Sequence, residues 1–402
     1  MTKKKILLIL ASAISVSILM VSIYRSQIRN CISLSVKSVP SPMPKRKSTY
    51  TESFSVLQYY LPWSWERQVK MRQPTELHDR LINKIAANGN FIWFTYPSND
   101  NTIAQSVAKF DSASKEIKVY KIQDDENRVV NISDIYVTRD GTLWANISFP
   151  RPGLARFHSD KDDFEIITDQ DGLLKSFDEK SDTYDLSDRR LGELSDGQLV
   201  VLLDHTIYLY NPDTNLASLI IGKNEGLSVK TIAIGKDDKI WFTVTDWDDK
   251  DLRMVDIHTG KVTNFGSPPN FSENYLVQPE IEEAGDAIVV DQQGRVWVSY
   301  FDRLEPDSNG SYVWHSIELP SVFVNTFDPY YSNRWANVFS TYSFSDGNIW
   351  FASDIGIVKY DIQNGTWCLS AEVKTFADYP ITEDAEGNVW TMVDQQIYKL
   401  RP

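Results

Sequence analysis

A short pattern returns seven times along the chain and limits the fold more than any other feature. A turn carrying Asp or Asn and usually Gly leads into a polar residue, an aliphatic residue, a tryptophan and often another apolar residue. The copies are Asn88-Gly89-Asn90-Phe91-Ile92-Trp93-Phe94, Asp140-Gly141-Thr142-Leu143-Trp144, Asp196-Gly197-Gln198-Leu199-Val200, Asp238-Lys239-Ile240-Trp241-Phe242, Gly294-Arg295-Val296-Trp297-Val298, Asp346-Gly347-Asn348-Ile349-Trp350-Phe351 and Gly387-Asn388-Val389-Trp390. Val200 replaces the tryptophan in the third copy, and the fourth has Asp-Asp in place of Asp-Gly. Counting Val200, the spacings are 51, 56, 41, 56, 53 and 40 residues.

Short apolar runs precede the copies, as at 132–137, 231–234 and 287–290. A glycine turn between two such runs signals a hairpin, because glycine accepts positive φ without steric cost. A third run follows, as in Leu154-Ala155-Arg156-Phe157, and a second turn such as His258-Thr259-Gly260 leads to a fourth. Four short strands per repeat of this length make a propeller blade. The expected fold class is all-β: a seven-bladed β-propeller over residues 50–402, with the tryptophans filling the space between sheets. The last repeat stops at Leu400-Arg401-Pro402, after its third strand. Its fourth strand is therefore expected from the N-terminal side, and Phe54-Ser55-Val56-Leu57-Gln58-Tyr59-Tyr60 is the candidate, since closing the ring removes an exposed sheet edge.

Lys3, Lys4 and Lys5 precede an uncharged run over 6–24. At 1.5 Å per residue this run covers roughly 28 Å as a helix, about the hydrocarbon thickness of a bilayer. The expectation is a cytoplasmic basic tip over 1–5, a transmembrane signal anchor over 6–24, a Pro- and Ser-rich linker over 25–49, and a propeller outside the cytoplasm. Residues 1–49 hold nine Lys/Arg and no acid, leaving 32 basic against 55 acidic residues in the rest. So acidic a body repels phosphate backbones, which excludes nucleic acid as a partner. Cys31 and Cys368 belong to different regions and predict no disulfide framework.

The repeat resembles the two-component-regulator propeller repeat, with its Asp-Gly-x-aliphatic-Trp-aliphatic core followed by a Gly-Leu-x-Arg/Lys-Tyr/Phe-Asp strand. Gly153-Leu154-Ala155-Arg156-Phe157 and Gly356-Ile357-Val358-Lys359-Tyr360-Asp361 carry the second half best, and the resemblance spans residues 53–400. It implies an extracytoplasmic sensing or binding module. Lys239-Ile240-Trp241-Phe242-Thr243 is also similar to repeats of streptogramin (virginiamycin B) lyases, seven-bladed propellers too.

Long connections are expected over 96–106, 166–190, 245–251, 266–286 and 320–336, all on one face of the disc. That loop-rich face holds the candidate ligand-binding residues Tyr96, Trp247, Asp248, Phe271, Tyr275, Tyr330, Tyr331 and Trp335. Aromatics outside the repeat positions suit a binding surface, although they also serve to pin long loops. Asp246-Trp247-Asp248-Asp249-Lys250-Asp251 fails the EF-hand pattern, with Lys at position five and Asp where Gly is required. His78, His158, His205, His258 and His315 share no metal-ligand spacing. No catalytic residue, metal site or cofactor is assigned. The expected function is non-catalytic binding of a ligand or protein partner on the loop-rich face, with a metal-dependent lyase or lactonase as the alternative. An enzyme requires acids and a histidine converging on the axis, whereas a binding module requires only a concave polar and aromatic surface.

Overall fold

The computed structural model describes residues 32–33, 36–40, 50–54, 65–70, 84–97, 104–124, 126–128, 130–149, 153–167, 191–203, 205–222, 228–246, 249–269, 288–298, 302–317, 338–353, 356–370, 381–393 and 396–400. They form seven antiparallel sheets, the blades of a propeller. The inner strands, in blade order, are Ile85–Asn88, Asn131–Val137, Leu191–Glu193, Val229–Ile234, Ile288–Val290, Val338–Ser343 and Ile381–Glu383. The outer strands of blades one to six are Ile117–Lys121, Asp163–Ile167, Leu216–Ile221, Lys261–Asn264, Tyr312–Ile317 and Thr366–Ser370.

Blade seven closes the ring as expected in principle, but with a different strand. Its outer position is taken by Trp65–Lys70, antiparallel to Gln396–Leu400, and not by the strand beginning at Phe54. The apolar Phe54 stretch reads as the better strand, yet the outermost position of a blade is wetted along one edge and accepts the charged Glu66, Arg67 and Lys70. Tyr50–Phe54 instead adds in parallel to the outer strand of blade five and pairs with Val36–Pro40, while Ile32–Ser33 adds to blade six. The predicted membrane span at 6–24 lies outside the described residues. Among these, no helix is long and apolar enough to cross a membrane. The cysteine reading is corrected: Cys368, buried in the outer strand of blade six, is disulfide-bonded, and no cysteine is free among the described residues.

The repeat residues each have a physical job. In blade five the carboxylate of Asp291 accepts the N–H groups of Gln293 and Arg295 at 2.9 and 3.0 Å, and the indole N–H of Trp297 at 2.9 Å. Asp384 repeats this in blade seven, accepting the Trp390 indole at 2.8 Å. One side chain thus shapes the turn and satisfies a buried donor. Blade four explains its missing glycine: Asp238 itself takes φ 57°, the left-handed conformation that Asp tolerates better than most residues.

Directly opposite each tryptophan on the third strand stands a cation in five blades. Lys109, Arg156, Arg303, Lys359 and Lys399 lie 5.2–5.5 Å from the rings of Trp93, Trp144, Trp297, Trp350 and Trp390. This gives the Arg/Lys of the repeat a cation–π role. Each tryptophan then reaches into the next blade. Trp93 meets Phe157, Trp144 meets Tyr210, Trp241 meets Tyr312, Trp297 meets Tyr360 and Trp390 meets Phe110, at centroid distances of 4.7–6.1 Å. Trp350 packs with Leu400 instead.

Candidate functional site

The inner strands of six blades enclose an axial cavity of about 320 Å³. Its polar lining includes Lys84, Asp134, Thr231, Thr341, Ser343 and Glu383, with the rings of Tyr136 and Tyr342 beside them. Asp134, buried in blade two, accepts the N–H of Ile135 at 2.9 Å and that of Leu191 in blade three at 3.1 Å. Glu383 accepts the N–H and hydroxyl of Ser345 in blade six at 2.7 and 2.5 Å. These carboxylates therefore join neighbouring blades while facing the axis. Thr341 differs: its residue is 3 % exposed, and its hydroxyl oxygen is buried without a hydrogen-bond partner. A buried hydroxyl left unpaired costs about 1–3 kcal/mol.

A second cavity, also about 320 Å³, opens on the turn side between blades two, three and four. It sits above a clasp. Arg139 pairs with Glu193, and the Arg139 N–H donates to the same carboxylate at 2.8 Å. The Ser195 N–H donates to Asp238 at 2.7 Å, and the Ser195 hydroxyl donates to that carboxylate as well. The backbone crowds here: a Cβ on Gly192 would stand 2.6 Å from Ile234 Cγ1. The same turn position makes the clasp in blade five, where Gln292 donates to the Phe344 and Ser345 carbonyls. Function in this second cavity is already accounted for by holding blades together.

Of the eight binding residues expected on the loop-rich face, Tyr96 lies in the second strand of blade one, opposite Ser106. Trp247, Asp248, Phe271, Tyr275, Tyr330, Tyr331 and Trp335 lie outside the described residues. The loop expected over 245–251 is a correction: Thr245 pairs with Lys250 and Asp246 with Asp249, so both strands run almost to the hairpin tip. Extended pairing wins because Thr and Val at 243–245 are strong strand formers.

None of the described histidines lines the axial cavity. His158 contacts Glu165 at 2.6 Å, His205 Nδ1 contacts the Val229 carbonyl at 2.9 Å, and His258 belongs to a turn built on Asp256. His315 Nε2 lies 2.9 Å from Glu305. Burial would raise the Glu305 carboxyl, but the His315 hydrogen bond and the Arg303 charge outweigh it and hold that carboxyl below its ordinary range. Sequence reasoning missed the axial residues because they sit in ordinary inner strands, at positions marked only by Thr, Ser or an acid where an apolar residue is usual.

No family model matches the chain, and no curated protein matches it. Among solved structures, virginiamycin B lyase from Staphylococcus aureus matches with a TM-score of 0.58 at 13% identity, over 85% of this chain and 99% of that one. The extracellular domain of a putative hybrid two-component system from B. thetaiotaomicron matches with a TM-score of 0.54 at 15% identity, over 84% of this chain and 42% of that one. YCF48 bound to D1 peptide matches with a TM-score of 0.54 at 11% identity, over 87% of this chain and 98% of that one. The chain is thus similar in fold both to extracellular propellers of two-component systems and to lyase propellers.

Proposed function

We propose that this protein is a membrane-anchored, extracytoplasmic propeller that binds a small polar ligand on its axis without catalysis, as a sensor-like module. The observation that carries this reading is the axial cavity itself, whose lining brings Lys84, Asp134, Ser343 and Glu383 together from four blades. The cavity lies at the small end of the range for ligand pockets, and its hydroxyls, carboxylates and lysine suit a sugar, polyol or amino acid. Extracytoplasmic placement is supported by the basic tip before the span at 6–24 and by the disulfide at Cys368, which persists in an oxidising compartment. The loop aromatics from Tyr96 to Trp335 are the expected second contact, for the ligand or for a protein partner. A propeller of similar fold is bound to a peptide.

The lyase or lactonase alternative rests on likeness of fold. A histidine-to-alanine variant of virginiamycin B lyase is catalytically inactive, whereas the axial cavity of this chain is lined by two carboxylates and, among the described residues, no histidine. Thermal-shift screening of the full chain against sugars, polyols and amino acids tests the proposal. Stabilising compounds are expected to lose their effect in Thr341→Val and Glu383→Gln. Binding that survives both substitutions, or chemical conversion of the bound compound, would overturn it.

A further inference from the structure

Five asparagines stand in Asn-x-Ser/Thr triplets with no proline between: Asn131, Asn146, Asn270, Asn309 and Asn364. Such triplets accept N-linked sugars in exported chains where they lie in surface turns. The sequence ranks them equally, and the fold does not. Asn131 and Asn146 lie in the first and second strands of blade two, 5% and 0% exposed, and the Asn146 amide donates to the Leu202 carbonyl at 2.9 Å. Asn270 lies outside the described residues. Asn364 is exposed, but its amide donates to Asp361 at 2.8 Å, and its triplet ends in Thr366, buried in the outer strand of blade six. Asn309 differs on each count. It occupies the tight turn between Asp302–Pro306 and Tyr312–Ile317 of blade five, where both it and Ser311 are exposed. Asp307 holds that turn, accepting the backbone N–H groups of Asn309 and Ser311 at 2.8 Å each. The Asn309 side-chain amide makes no hydrogen bond among the described residues, and a Cβ on neighbouring Gly310 would meet nothing within 4 Å.

We propose that Asn309 is a glycosylation site, carrying an N-linked oligosaccharide on the turn face of the disc. In the reaction, the amide nitrogen of Asn309 bonds to the anomeric carbon of a sugar carried on a lipid pyrophosphate. The bond from that carbon to the pyrophosphate oxygen breaks, the pyrophosphate leaves with the electron pair, and the amide gives up one proton to the transferase. The site rests on the extracytoplasmic placement proposed for the chain, which the bonded Cys368 supports independently of the N-terminal segment. Because strands alternate direction within an antiparallel blade, the turn at Asp307–Ser311 lies on the same side as the Asp291–Arg295 turn of that blade. The sugar therefore stands opposite the loop-rich face. Bulky and solvated, it obstructs protein contact on the turn face of blade five and leaves the loop-rich face open to a partner.

Peptide mapping by mass spectrometry tests this on the full chain, purified from the membranes of cells that make it naturally. The peptide containing Asn309 is expected to carry a sugar increment, and those containing Asn131, Asn146 and Asn364 to carry none. Asn309→Gln and Ser311→Ala should each abolish it, the second by removing only the hydroxyl of the triplet. Melting temperature should hold in both, since both side chains are exposed. Asn364→Gln should leave the sugar in place. A reporter fused after Pro402 separates the site from the placement it rests on. An extracytoplasmic reporter with Asn309 bare overturns the glycosylation site alone, whereas a cytoplasmic reporter overturns both. A sugar that survives Ser311→Ala, or one borne by Asn131 or Asn146 in the folded chain, also overturns the proposal.

Discussion

The junction between blades one and two and the junction between blades three and four fill equivalent space by opposite means. In the first, Trp93 stands edge-on to Phe157 at 4.7 Å and beside Tyr120 at 5.8 Å, with Phe164 closing the group. Lys109 lies over Phe91, Trp93, Tyr120 and Phe157 at 5.0–5.7 Å, and Asp162 in the next blade pairs with it while accepting the Tyr120 hydroxyl at 2.6 Å. In the second, Val200, Val255, Ile232 and Phe242 belong to one apolar cluster with no tryptophan and no cation. Where the tryptophan is lost, the cation opposite it is lost too, since Leu209 faces Val200. The aromatic of the following blade is also replaced, by Val255. At this junction all three positions differ, whereas blade four keeps its tryptophan opposite Met254 and blade six packs Trp350 with Leu400. The propeller tolerates either filling, but only the aromatic one has directional and charged components that a substitution can remove separately.

The largest effect should come from emptying the aromatic junction. Trp93→Ala should destabilise by about 3–5 kcal/mol, against about 2 kcal/mol for Val200→Ala, read as shifts in urea unfolding. Equal costs would show that the junctions differ in appearance only. Next, Asp291→Ala strands the buried Trp297 indole N–H and should cost about 1–3 kcal/mol, with the loss visible as a local rise in hydrogen exchange around 291–297. Smaller still, Lys399→Met imitates the Trp241–Met254 pair of blade four and should cost about 0.5–1 kcal/mol in thermal unfolding. No change there would sink the cation–π account of the repeat.

The mildest test uses pH. Hydrogen bonds from Lys118, Tyr120 and Lys109 hold the Asp162 carboxyl well below its ordinary value, outweighing the opposing effect of burial. A carboxyl depressed on folding contributes stability above its unfolded value, and that contribution fades as pH falls below about 4. The stability gap between the native chain and Asp162→Asn should therefore be widest near neutrality and narrow on acidification. A constant gap from pH 7 to pH 3 would remove Asp162 from the account.

Much of this was legible in the residues. Period and tryptophan spacing revealed seven blades because each repeat is one hairpin pair that cannot bury its own faces. The weak third and fourth copies were visible, but their compensations were not. Val200 is matched by Val255 across a blade boundary, and Asp238 replaces glycine by a backbone conformation. Ring closure was predictable and its strand was not, since a charged outer strand looks poorer than an apolar one until its wet edge is known.

By itself the sequence determined the number of blades, the residues that shape their turns, and the place of each tryptophan, because these follow from local periodicity and turn chemistry. Only the tertiary structure decided which N-terminal segment closes the ring, that Cys368 is bonded, and which polar residues meet on the axis. All three depend on which residues a closed ring brings together from distant repeats, and no local pattern encodes that.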